Sequence, residues 1–133
     1  MKDLALTLVI ATLLPLSGRA VLGAPDGAQE KDPQTKAAEW VARADSVRAT
    51  VAGVLAQAVE AGAEEHAVAG DNVADARRWL AEGDKALESA KAAMEEEAYE
   101  KAAAEGNMAW QLYVKAGSAA VRAARLVGGG GEG

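Results

Sequence analysis

Cysteine is absent from this chain of 133 residues, and so is phenylalanine. Without cysteine there is no disulfide, no thiolate metal site, no cysteine nucleophile and no lipidated cysteine. Oxidative folding is therefore not required in any compartment. Aromatic residues make up only 4%, as three Trp and two Tyr, and histidine occurs once. A metal site built on paired histidines is thereby excluded. Proline is scarce, with three in all, so little interrupts a helix. Alternating apolar and polar residues, the mark of a half-buried strand, are also missing.

What is present is alanine, at about a quarter of the chain, with Glu, Lys, Arg and Leu around it. These are the strongest helix formers, and they dominate residues 34–127. Burying a large apolar side chain is worth roughly 1.5–3 kcal/mol, and alanine contributes far less. The expected fold is therefore all-α with a thin core, whose helices approach closely. The net charge is −6 and the pI is near 4.8. Acidic chains repel the phosphate backbone, which argues against nucleic-acid binding.

Residues 4–16, LALTLVIATLLPL, follow a lysine and precede small residues, the layout of a secretory signal peptide. The run falls short of the roughly 20 residues that span a bilayer. Cleavage fits after Ala20 or after Gly23. The domain reading is a signal peptide over 1–23, a polar linker over 24–33, a helical bundle over 34–127 and a glycine-rich tail over 128–133. No stable membrane span is expected after leader cleavage. The expected destination is the medium, the periplasm or the cell surface.

Three apolar stripes define three long helices of an antiparallel bundle, over 34–68, 72–94 and 97–127. The first is Ala37, Trp40, Ala44, Val47, Val51, Val54, Ala58 and Ala61, in heptad steps of three and four. The second is Val73, Ala76, Leu80, Gly83, Leu87, Ala90 and Met94. Gly83 implies close approach of another helix backbone, since glycine costs about 1 kcal/mol in a helix interior. The third is Tyr99, Ala103, Gly106, Trp110, Tyr113, Gly117, Ala120, Ala124 and Val127. Gly70 reads as the stop of the first helix and Asp71 as the cap of the next. Between Met94 and Tyr99 the stripe jumps out of phase, so a turn is expected near 95–98. A break at Gly106-Asn107, or one bent helix over 72–127, also fits.

Candidate sites are few. His66 has no metal-ligating residue three or four positions away, so it reads as a solvated histidine near a helix end. Glu95, Glu96, Glu97 and Glu100 diverge around a helix and form a solvated face. No serine lies in a nucleophile motif, and the terminal glycines lack the Lys-Ser/Thr of a phosphate loop. No catalytic residue, metal or cofactor is expected. Trp40, Trp79 and Trp110 fall one per helix and read chiefly as core anchors. Trp79 lies beside its stripe, so Trp79 and Trp110 form the candidate interaction surface.

Gly83, Leu87 and the run Tyr99-Glu100-Lys101-Ala102 give residues 83–113 a likeness to a tetratricopeptide hairpin. Across residues 25–127 the composition resembles the alanine- and glutamate-rich helical surface proteins of trypanosome-type parasites. That resemblance implies an elongated helical bundle serving as a coat or receptor protein. The sequence reading is thus an exported, non-enzymatic helical protein for surface structure or protein–protein interaction, by self-association or with a protein partner. The alternative is a periplasmic or extracellular helical module that binds a small ligand.

Overall fold

The computed structural model describes residues 32–129. The expected signal peptide, most of the expected linker and residues 130–133 lie outside them. Three helices carry the described chain: α1 (Pro33–Glu60), α2 (Ala67–Glu95) and α3 (Tyr99–Ala124). No strand occurs among the described residues. Helix α1 starts at Pro33, a first-turn position where the missing N–H has no partner to lose. Helix α3 runs on into one π-turn, Arg125–Gly129.

The helices run up, down and up, so α1 and α3 are parallel neighbours and α2 is antiparallel to both. Helix α3 is the central element and packs along the length of each of the others, whereas α1 and α2 approach each other less. The core has three tiers. Ala37, Ala93 and Ala102 close one end. Ala44, Leu87, Ala109 and Tyr113 fill the middle. Leu55, Ala58, Val73, Ala76, Ala119 and Ala123 close the other. Tyr113 and Val73 are the largest side chains that are fully buried, which makes the core thin as the composition implies. Alanine seams let helix axes approach closely.

The stripes read from the sequence face inward except at Ala61, which is exposed just past the end of α1, and the first inter-helix boundary differs. Helix α1 ends at Glu60, and a 3-10 turn, Ala63–Glu65, leads into α2 at Ala67. Gly62, not Gly70, is the stop, because it adopts the left-handed φ of 96° that glycine alone reaches cheaply. Gly70 sits inside α2, where a β-carbon would come within 3.1 Å of the Glu64 carbonyl oxygen. The cap of α2 is His66 rather than Asp71: its Nδ1 accepts from the Ala69 N–H at 3.1 Å.

The turn expected near 95–98 is present, and α2 and α3 are separate helices. It closes as a Schellman motif. The Ala98 N–H donates to the Ala93 carbonyl at 2.8 Å, and the Glu97 N–H to the Met94 carbonyl at 3.0 Å. Glu97 holds the left-handed position, φ 61°, which usually belongs to glycine. That substitution hides the turn from a reading based on Gly and Pro. Gly106 and Asn107 lie within α3 without a break.

Candidate functional site

Two features are built at helix seams: a polar clasp that joins all three helices, and an open groove between α1 and α3.

The clasp centres on Asp84 of α2. Arg48 of α1 donates to it twice, Nε to Oδ1 at 2.6 Å and Nη2 to Oδ2 at 3.2 Å. Tyr113 of α3 donates its hydroxyl to Oδ1 at 2.5 Å. The two-pronged Arg48 bond holds the Asp84 carboxyl below the ordinary carboxylate range; partial burial opposes this, and the Tyr113 hydroxyl assists it. Arg48 is raised in turn by Asp84. Burial, followed by the hydrogen bond to Asp84, pushes the Tyr113 phenol well above its usual value. A tyrosine held neutral in this way is the opposite of an activated nucleophile or a poised base. The clasp orders the helices. Lys91 and Asp45, at 3.4 Å, brace the same α1–α2 seam.

Gly83 explains how Tyr113 reaches Asp84. A β-carbon at Gly83 would lie 2.5 Å from the Tyr113 ring. The close approach expected at Gly83 is therefore real, but a buried ring occupies the space and not a helix backbone. At Gly106 the neighbour is α1, with the Trp40 β-carbon at 3.0 Å.

The two candidate tryptophans belong to different seams. Trp79 is half-buried beside α3, with the Lys115 ammonium 4.6 Å and the Arg78 guanidinium 4.9 Å from its ring. These cations already use its π-face. Trp110 packs edge-on against Trp40, with ring centroids 5.9 Å apart, and borders the α1–α3 groove.

That groove runs from Glu39 past Val47 and Thr50 to Val54 on α1, in two connected hollows of about 570 and 480 Å³. The larger hollow adjoins Trp110. The smaller is walled by Val47, Val51 and Val54 on α1 and by Val114, Gly117 and Val121 on α3. Val114 and Val121 are 41% and 38% exposed; Val68, Met108 and Leu126 are also exposed but do not line the groove. Arg122 and Arg125 close one end.

The chain matches no family model, no curated protein and no solved structure. Function must therefore be argued from the geometry.

His66, Glu95, Glu96 and Glu97 stay on the surface, and no three metal-ligating side chains converge among the described residues. No described helix is long and apolar enough to cross a membrane. Sequence reasoning missed Arg48 and Asp84. Each stands one residue beyond a stripe position, Val47 and Gly83, where a charge normally faces water. Val114 and Val121 lie off the third stripe and so face outward as it implies; the groove was missed because Val47 and Val54 sit on the first stripe and look like core, yet are only partly buried.

Proposed function

We propose that this is an exported, non-enzymatic helical protein that acts through protein–protein contact at the α1–α3 groove. The observation that carries this reading is the pair of exposed valines, Val114 and Val121, one heptad apart and facing Val47 and Val54 across an open apolar trough. Parallel helices flanking such a trough offer the helix-in-groove mode of recognition. Export rests on the leader-like residues 4–16. Interaction, more than catalysis, suits a molecule whose part-buried clasp of Arg48, Asp84 and Tyr113 is engaged in its own hydrogen bonds.

Small-ligand binding is the second reading, favoured by Trp110 at the groove edge. The openness of both hollows weighs against it, because small-ligand sites bury roughly 70–90% of their ligand.

A photo-crosslinking residue placed at Val121 in the producing cells tests the proposal. Discrete protein adducts are expected there and not at Ala74, an exposed position on α2. A chain that stays uncrosslinked at both positions would sink it.

A further inference from the structure

The charges of α3 are segregated along its length. From Glu95 to Glu105 the turn and the first half of the helix hold five glutamates and one lysine. From Gly106 to Gly129 every charged residue is a cation: Lys115, Arg122 and Arg125. Lys115 is held over Trp79 on the α2 side, while Arg122 and Arg125 stand at the end of the apolar groove; on a chain of net charge −6, that cationic end is a recognition feature. It also says how two such helices can pair. Side by side and parallel, α3 would set like charge against like; antiparallel, it sets each half against its complement.

The register follows from helix geometry. Glu100 and Arg125 are 25 residues apart, close to seven turns at 3.6 residues per turn, so they share one face. Arg125 keeps right-handed helical dihedrals, φ −65° and ψ −36°, so the face persists to it. Trp110, Val114 and Val121 lie between them on the groove side of α3. Glu100 and Arg125 are both exposed, and neither has a partner within the described chain.

We infer that the groove face docks a second copy of this chain, with the two α3 helices antiparallel about a two-fold axis. This rests on the protein-contact reading above and names its partner. The axis passes midway between residues 100 and 125, near Leu112 and Tyr113. Each Arg125 then lies against Glu100 of the other copy. Trp110 and Val114 lie within three residues of the axis, level with Lys115 and Gln111 of the other copy, whose aliphatic stems cover them. The same surface serves both copies, as a closed two-fold dimer requires. An aromatic and a valine at the centre with charge pairs at the edge is the usual layout of a stable interface.

Sedimentation equilibrium on the protein purified from its producing cells tests this. Twice the monomer mass is expected at about 10–100 µM, with weaker association at high salt. Arg125→Glu and Glu100→Arg should each weaken the dimer by about tenfold or more, while the double variant E100R/R125E recovers most of the affinity. Circular dichroism establishes that each variant keeps its helix content. A monomer at every concentration, or a double variant no tighter than the singles, overturns the inference. The two readings fail separately. Adducts at Val121 with a different protein, from a chain that sediments as a monomer, overturn the second-copy inference alone; no adduct of any kind overturns both.

Discussion

Gly83 and Gly53 are both helical glycines, yet they respond oppositely to substitution. At Gly53 a β-carbon meets nothing within 4 Å. Gly53→Ala should therefore stabilise the protein by about 0.5–1 kcal/mol, the ordinary gain in helix propensity. At Gly83 the β-carbon would strike the Tyr113 ring at 2.5 Å. That ring is fully buried and its hydroxyl is tied to Asp84, so it cannot swing aside. Gly83→Val should cost about 2–3 kcal/mol by overpacking. Urea denaturation of the two variants checks both signs. The clasp also makes stability depend on pH. Asp84 is held below its ordinary range, so its contribution is present above about pH 4 and is lost as pH falls through the depressed folded value. Tyr113 is raised, so its contribution holds below about pH 10 and declines above that. Asp84→Asn should lower stability at pH 7, and the gap to the parent should narrow toward pH 3, by urea midpoints at the two pH values.

Among the elements, the two inter-helix connections carry the informative strain. Glu97 holds the left-handed position of a Schellman motif at φ 61°. A side chain there costs about 1–2 kcal/mol, part of which glycine gives back in backbone entropy. Glu97→Gly should raise stability by roughly 0.5–1 kcal/mol. Gly62 has φ 96° and already holds the favoured residue, so Gly62→Ala should lower it by about 1 kcal/mol. Thermal melts of the pair read both. The helix count and the turn near 95–98 were legible because the apolar stripe breaks phase between Met94 and Tyr99. The end of α1 was not. Gly62 and Gly70 are both followed by an acidic residue within two positions, and only the fold shows which of them needs a positive φ.

For the molecule as a whole, the valines divide into those that hold the bundle and those that face out. Val73 is fully buried, and Val73→Ala should cost about 1–3 kcal/mol. Val114 is 41% exposed, so Val114→Asp should change monomer stability by less than about 0.5 kcal/mol. Denaturation of the two variants separates core from groove. If the groove face is an interface, Val114→Asp should also abolish association while leaving the helical spectrum intact.

Local chemistry alone determined that this chain is helical and which stripe of each helix turns inward; the phase break between Met94 and Tyr99 pointed to a third helix but left one bent helix over 72–127 open. Alanine-rich propensity and a period near 3.5 depend on neighbours within a few residues. Tertiary structure decided the rest. The axial register of α1, α2 and α3 brings Arg48, Asp84 and Tyr113 to one height, and no spacing within a single helix encodes that alignment. Packing also decides that Val47 and Val54, on the inward stripe, stay partly uncovered and wall a groove with Val114 and Val121. The reason is physical: a helical stripe states which side is apolar, but only the packed neighbours state how much of that side is covered.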